Sequence, residues 1–175
     1  MIAAFLQGPL FRLIPVGIML VALQRTLFVD LRPADVVVQV VLALAAAAGA
    51  GAGSERGALA GFVLGLLFDL GVGTPLGSSS VTMGLAGFTA GYVRSITIDP
   101  QWWLAALFTA IGAGVGELAI PVVRTFIGEI DPFDPRLRTI VPVVAAGAAV
   151  LSPAFVPLGR WCMRIKRVEW KAPAE

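Results

Sequence analysis

The sequence predicts an all-α polytopic membrane protein with six transmembrane helices in a single domain. Three observations predict this class: 58% of the 175 residues are hydrophobic, only 14% are charged, and the mean hydropathy is +0.89. An ordinary soluble protein carries about 25% charged residues. A soluble chain of this size would have to cover a large surface with few charges, which would leave extensive apolar patches in water. Lipid is therefore the expected solvent.

Counts of single residue types exclude several kinds of function. The chain has no histidine, which excludes Ser-His-Asp triads, H-E-x-x-H zinc sites and histidine bases. Its one cysteine, Cys162, allows neither an internal disulfide nor a metal site made of cysteines. The net charge is only +2 and the basic excess lies at one end, so nucleic acid is not an expected partner. We expect no catalytic residue, no metal and no cofactor.

Six apolar runs, separated by polar or helix-breaking segments, predict the six spans. A hydrocarbon core about 30 Å thick takes about 20 residues of helix, so a chain of this length can supply six spans with short connections. The predicted spans are residues 9–29, 35–53, 57–70, 78–93, 102–127 and 139–158. The first run lacks the strongly positive start and the cleavage site of a secretory signal peptide, so we expect it to be retained. Residues 1–159 are the predicted transmembrane domain, and residues 160–175 a basic cytoplasmic tail.

Local signals predict where these helices begin and end. Asp35 stands at the start of the second helix, where a carboxylate is favourable. Residues 54–56 are a connection short enough to make the second and third helices an antiparallel hairpin. Glycines and a proline within residues 71–77 end the third helix, and the serines at 78–80 are predicted to cap the fourth. Asp99-Pro100 is a start signal for the fifth.

The distribution of arginine and lysine predicts which side the termini face. With six spans both termini lie on one side, which carries eight of these residues against five on the other. The eight are Arg12, Arg56, Arg94, Arg160, Arg164, Lys166, Arg167 and Lys171, and the five are Arg25, Arg32, Arg124, Arg136 and Arg138. The positive-inside rule therefore places both termini in the cytoplasm. Four cations are expected to anchor the tail on anionic lipid: Arg160, Arg164, Lys166 and Arg167.

Glycine spacing on the third helix is a signal for close helix packing. Gly57, Gly61 and Gly65 recur every four residues and therefore share one face. Such a face lets another helix approach closely, so that van der Waals packing replaces the hydrophobic effect that lipid does not supply. Two interpretations stay open, packing inside the bundle and docking of a helix from a partner protein.

Two carboxylates fall within apolar runs. Asp69 lies at the end of the third helix on the Gly65 face, and is predicted to accept hydrogen bonds from the turn amides of residues 71–73. Glu117 lies midway along the fifth span, where an acid is expected to face the bundle and to be protonated or paired. Arg124, two turns further along the same helix, is a candidate partner. Whether Glu117 has a functional or a structural role stays open.

The central part of the chain, residues 57–77, resembles the signature of the rod shape-determining protein MreD family. It reads G-x-x-x-G-F-x-x-G-L-x-x-D-L and, after a short gap, G-x-P-L-G. Besides the three glycines of the third helix, the matching positions include Phe62, Asp69, Gly73, Pro75, Leu76 and Gly77. Leu23-Gln24 near the end of the first span and the alanine-rich second span are also similar to that family, as are the length and the six-span layout.

The resemblance implies a non-catalytic scaffold of the bacterial inner membrane. Its partner would be MreC, and the two together would connect MreB filaments to the RodA-type glycosyltransferase and the class B penicillin-binding transpeptidase of cell elongation. The resemblance also implies a fold similar to that of the S components of energy-coupling-factor transporters.

Two other classes of function are weighed against the scaffold. A small-molecule-binding S component couples to its transporter through an alanine-x-x-x-alanine patch on the first helix, whereas here Ala22 is followed four residues later by Thr26. A membrane enzyme would need clustered metal-binding acids, but Asp69 and Glu117 lie on separate predicted helices. The scaffold is therefore the preferred interpretation, with the S component as the alternative.

Overall fold

The computed structural model describes residues 8–27, 36–96, 102–128 and 134–164. Within these ranges the chain forms six helices and no strand, which confirms the predicted all-helical class. The helices are α1 (Leu10–Thr26), α2 (Val40–Ala52), α3 (Ser54–Val72), α4 (Ser78–Ser95), α5 (Trp102–Ile127) and α6 (Leu137–Cys162).

Helix α2 is the centre of the bundle. It contacts each of the other five helices, and residues 40–51 are all buried. Most of its side chains are alanine or glycine, so the backbones of neighbouring helices can approach it from every side. Its 13 residues give a length of about 20 Å, shorter than a hydrocarbon core of about 30 Å. The alanine-rich run therefore forms the interior of the protein.

The predicted hairpin between the second and third helices is present, but its connection is shorter than expected. Gly53 alone separates α2 from α3, at φ +98°, a conformation that a side chain would strain. The predicted connecting residues, 54–56, form the first turn of α3 instead.

Two of the described helices are long and apolar enough to cross a membrane, α5 over Trp103–Ile127 and α6 over Leu137–Cys162. In α6 only 22% of the most apolar stretch is buried inside the protein, so most of that stretch faces outward. Helices α3 and α4 have 19 and 18 residues, but polar residues and glycines lower their hydropathy. Helices α1 and α2 are shorter. Six crossings therefore remain a prediction.

Arginines mark one end of the bundle. Arg12, at the start of α1, donates a hydrogen bond to the carbonyl oxygen of Trp161 near the end of α6. Arg94 and Arg160, near the ends of α4 and α6, both donate to the carbonyl oxygen of Gly51 near the end of α2. We call this the arginine end. The described arginines here are Arg12, Arg56, Arg94, Arg160 and Arg164.

The opposite end of the bundle is called the aspartate end, because Asp69 lies there beside the turn at residues 73–77. Helices α2, α4 and α6 begin at this end. Its described arginines are Arg25, Arg124, Arg136 and Arg138. The described cations thus fall into the same two groups that the sequence separates.

Several helix ends differ from the predicted ones. Helix α2 begins at Val40 rather than at residue 35. Helix α6 continues to Cys162, so Arg160, which was assigned to the tail, lies in its last turn. In this last part of α6, Gly159 packs directly against Ala48 of α2. Other predicted features lie outside the described residues: Arg32, Asp35, Asp99-Pro100, Lys166, Arg167 and Lys171.

Candidate functional site

The glycine face of α3 lies against the backbone of α4. Gly57, Gly61 and Gly65 are buried. A Cβ atom added to Gly61 would collide with the carbonyl oxygen of Met83, and one added to Gly65 would collide with that of Ser79. Any side chain at these positions would force the two helices apart. Of the two interpretations left open by the sequence, the structure shows internal packing, because α4 already occupies this face.

Glycines from three helices meet at the arginine half of the interface. A Cβ on Gly57 of α3 would touch the Cα of Gly49 in α2 and the carbonyl oxygen of Gly87 in α4. Gly91, one turn further along α4, lies against the backbone of Gly53 and Ser54 where α2 gives way to α3. Helices α2, α3 and α4 therefore form one unit in backbone contact, held by packing that depends on the absence of side chains.

Asp69 closes the other half of this interface. Its side chain is 1% exposed. One carboxylate oxygen accepts a hydrogen bond from Thr74 Oγ1 at 2.6 Å, and the other accepts one from the backbone N–H of Gly77 at 2.8 Å. The N–H of Ser79 lies 3.2 Å from both oxygens, and Ser78 Oγ lies 3.4 Å from one of them. The carboxylate thus caps the N-terminus of α4, where a negative group is favourable.

Two sequence predictions about this turn are wrong. The amides of residues 71–73 do not bond to the Asp69 side chain, because α3 continues to Val72 and Gly73 N–H bonds to the carbonyl oxygen of Asp69. The serines at 78–80 do not cap α4, because its N-cap is Gly77 at φ +96° and Asp69 supplies the acceptor. Ser80 Oγ is buried without a hydrogen-bond partner within the described chain.

The motif residues divide into an inward and an outward group. The glycines of α3 and Asp69 face inward and hold α3 to α4. Gly73 and Gly77 adopt positive φ angles, +81° and +96°, which the turn requires. Phe62 and Leu76 face outward with 50% and 69% of their surfaces exposed, and Pro75 is also exposed. Packing within the chain explains the first group and the turn glycines but not Phe62 and Leu76.

Gln24 forms a second helix cap, which the sequence analysis did not predict. Gln24, 8% exposed near the end of α1, accepts a hydrogen bond from the backbone N–H of Val41 at 3.0 Å. Val41 lies in the first turn of α2, so the amide side chain caps that helix. The signal in the sequence is that Gln24 lies in the last turn of an apolar helix, and that the N-cap position of the next helix is Gln39, which is not one of the usual capping residues Ser, Thr, Asp and Asn.

Glu117 is buried in the bundle, 5% exposed, and its partner comes from a distant part of the chain. Gln39 Nε2 donates to Glu117 Oε2 at 2.7 Å, which joins the start of α2 to the middle of α5. Arg124, the partner that the sequence suggested, is exposed in the last turns of α5 and interacts with Glu117 through its charge. The direct contact of Glu117 with Gln39 joins two helices inside the bundle.

A cavity of about 590 Å³ opens at the aspartate end, between the ends of α3 and α5 and the start of α4. Apolar side chains such as Phe68, Met83 and Ile120 make up much of its wall. Polar groups also line it, among them Gln39, Thr82 and Arg124. A cavity of this size and mixed lining is suited in principle to a small molecule.

At the arginine end, the cations act as ties between helices. The guanidinium carbon of Arg12 lies 5.0 Å from the centre of the Trp161 ring, in addition to its hydrogen bond to the Trp161 carbonyl. Arg94 and Arg160 hold the carbonyl oxygen of Gly51 at 2.6 and 3.2 Å. Of the four predicted anchoring cations, Arg160 thus joins α6 to α2 and Arg164 is exposed. Cys162, which lies between these two arginines in the sequence, is fully buried.

Comparison with known proteins gives no relative for this chain. No protein-family model, no curated protein and no solved structure matches it. The described residues also contain no cluster of three or more histidine, cysteine, aspartate or glutamate side chains that could hold a metal ion.

Proposed function

We propose that the protein is a non-catalytic scaffold of the bacterial inner membrane, of the MreD type, that binds MreC in the machinery of cell elongation. In this proposal all six helices cross the membrane. The observation that carries it is that the residues resembling the MreD signature fall in one structural unit, made of α3, the turn at 73–77 and the start of α4. A scaffold needs a rigid surface for its partner, and this unit is in backbone contact throughout.

The outward side of α3 supplies the surface for the proposed partner. Phe62, Leu66 and Leu70 lie four residues apart on one face and are 50%, 38% and 65% exposed. We call these three side chains the α3 ridge. The ridge lies about 100° around α3 from the glycine face that packs on α4. Its exposed side chains are therefore left to pack against the single transmembrane helix of MreC. Exposed apolar side chains of this kind are where helices associate in a bilayer.

The distribution of cations supports an orientation for the bundle. The arginine end has five described arginines, and the chain continues from it into a segment with Lys166, Arg167 and Lys171. The positive-inside rule then favours the arginine end, with both termini, on the cytoplasmic side. MreB would be reached on that side, and the extracytoplasmic part of MreC and the peptidoglycan enzymes on the aspartate side.

Co-purification of MreC tests the scaffold proposal. The variant Phe62→Ala/Leu66→Ala, expressed with MreC, is expected to lose most of the MreC that wild type retains, while its own yield and melting temperature stay unchanged. The matched control is Leu85→Ala/Phe88→Ala, which removes two side chains exposed to a similar degree, 41% and 44%, from α4. Undiminished MreC recovery with the ridge variant, or equal loss with the control, would contradict the assignment of the ridge.

The cavity at the aspartate end favours a second candidate, a small-molecule-binding S component of an energy-coupling-factor-type transporter. Its volume of about 590 Å³ and its mixed lining suit a vitamin-sized ligand. Affinity purification from membranes separates the two candidates, because an S component is expected to bring its energising module and the scaffold is expected to bring MreC. Filling the cavity by Thr82→Phe should abolish ligand binding if the protein is an S component, and should leave MreC binding intact if it is the scaffold.

A further inference from the structure

A second cavity, of about 410 Å³, opens at the arginine end between α2, α3 and α6. Three arginines line it, Arg56, Arg160 and Arg164. The rest of its described wall is apolar or backbone: Gly51, Ala52, Pro157, Trp161 and Met163. We call this space the arginine cavity.

No described lining residue of the arginine cavity is acidic. Arg160 is held in place by the carbonyl oxygen of Gly51. Arg56 and Arg164 are exposed, and neither has a hydrogen bond or ion pair with another residue in the part of the chain that the structure describes. Glu55, the nearest acid in sequence to Arg56, is exposed and does not line the cavity. Three cations around one space repel each other, and an anion between them removes that repulsion.

The position of the arginine cavity selects the kind of anion. It lies at the C-terminal end of α6, one of the two described helices long and apolar enough to cross a membrane. Trp161, half exposed at the rim, is typical of the zone where lipid head groups meet acyl chains. Arg12 fixes this side chain from the neighbouring helix. A ligand here therefore meets cations on one side and an apolar, indole-bearing wall on the other.

We propose that the arginine cavity binds the phosphate head group of an anionic membrane lipid. Arg56 and Arg164 contact the phosphate oxygens, since a guanidinium group presents paired donors to them. Arg160, oriented by Gly51, supplies the third positive charge. The acyl chains run along the exposed side of α6 beside Trp161. This inference goes beyond the scaffold role and is independent of MreC, because it requires only that the end of α6 lies at a membrane surface.

Lipid titration of the purified protein in detergent tests this proposal. Bound lipid is counted by native mass spectrometry with phosphatidylglycerol as the anionic probe and phosphatidylcholine as the zwitterionic one. Removing two cations that each contribute about 1 kcal/mol should raise the half-saturating phosphatidylglycerol concentration roughly 30-fold in Arg56→Gln/Arg164→Gln. The matched control, Arg136→Gln/Arg138→Gln, removes the same charge at the aspartate end and should bind as wild type does.

Further arms of the experiment separate lipid from free anion and binding from folding. Inorganic phosphate at millimolar concentration should not displace phosphatidylglycerol; displacement would show a free-anion site and overturn the lipid assignment. Arg56→Lys/Arg164→Lys keeps both charges but loses the paired donors, so its affinity should lie between those of wild type and the glutamine variant; binding as weak as that of the glutamine variant, in a protein that melts at the wild-type temperature, would overturn the role of charge. Equal binding of phosphatidylcholine, equal weakening by the control variant, or wild-type binding by the glutamine variant would also overturn the proposal.

Discussion

Replacing Asp69 by leucine is expected to destabilise the protein strongly. The substitution removes the acceptor for the backbone N–H groups of Gly77 and Ser79 and for the hydroxyl of Thr74. Asp69 is 1% exposed and its hydrogen bonds to these donors are partly buried, so water replaces the carboxylate only poorly. Each buried amide left without an acceptor costs about 1–3 kcal/mol, so the two together cost about 2–6 kcal/mol. That is a large fraction of a stability of about 5–15 kcal/mol.

Asp69→Asn gives the intermediate case. Its side-chain oxygen can still accept from one of the amides, while its NH₂ group faces the other donors, so about half of the loss is expected, about 1–3 kcal/mol. Thermal unfolding in detergent should therefore rank wild type above Asp69→Asn and Asp69→Asn above Asp69→Leu. The control is Asp134→Leu, because Asp134 also accepts from a backbone N–H, that of Arg136 at 2.8 Å, but is exposed.

Water replaces the lost acceptor in the control, so Asp134→Leu should cost only about 1 kcal/mol or less. If Asp69→Leu melts at the wild-type temperature, the account of Asp69 as the cap of α4 is refuted. If Asp134→Leu loses as much as Asp69→Leu, burial is not what makes the cap strong.

Three further predictions concern packing, the buried acid and orientation. Gly61→Ala should lower the free energy of unfolding by about 1–3 kcal/mol, because the new Cβ would collide with the Met83 carbonyl group. The control is Gly84→Ala, which should not lower it, because the nearest neighbour of that Cβ is 3.5 Å away; melting curves compare the two variants. Glu117→Leu should cost about 1–3 kcal/mol by leaving the Gln39 amide unpaired, and Glu117→Gln should cost less, in the same assay. Cysteines introduced in place of Asp134 and Arg164, on a Cys162→Ser background, should react with an impermeant reagent from outside and from inside the cell respectively; the reverse pattern would contradict the proposed orientation.

The features that depend on local sequence were predicted well. Apolar runs and glycine spacing indicated six helices, the hairpin around Gly53 and a close-packed face on α3, because these follow from composition and from the period of a helix. The ends of α3 and α6 were predicted two and four residues too early, because glycine and proline signals locate a helix end only to within a few residues: α3 ends at Val72 and α6 at Cys162.

Features that depend on tertiary contact were not predicted. Gln39 and Glu117 are 78 residues apart, and no local pattern connects them. The Asp69 prediction identified the right acceptor and the wrong donors. If α3 had ended before residue 71, the amides of residues 71–73 would have been free to bond to the carboxylate. The helix continues for two more residues, so the N–H of Gly73 bonds to the Asp69 carbonyl oxygen instead, and the carboxylate accepts from Gly77 and Ser79.

Gln24 and Asp69 solve the same problem in two successive pairs of helices. The first N–H groups of any helix lack partners within it, and each one that is buried without an acceptor costs about 1–3 kcal/mol. At the aspartate end the acceptor comes from the preceding helix: Gln24 of α1 accepts a hydrogen bond from the N–H of Val41 in α2, and Asp69 of α3 accepts one from the N–H of Ser79 in α4. A cap from a neighbouring helix also fixes the height of one helix against the next. Since the α3 ridge lies on the helix that carries Asp69, this cap sets the height at which the ridge would meet the partner proposed above.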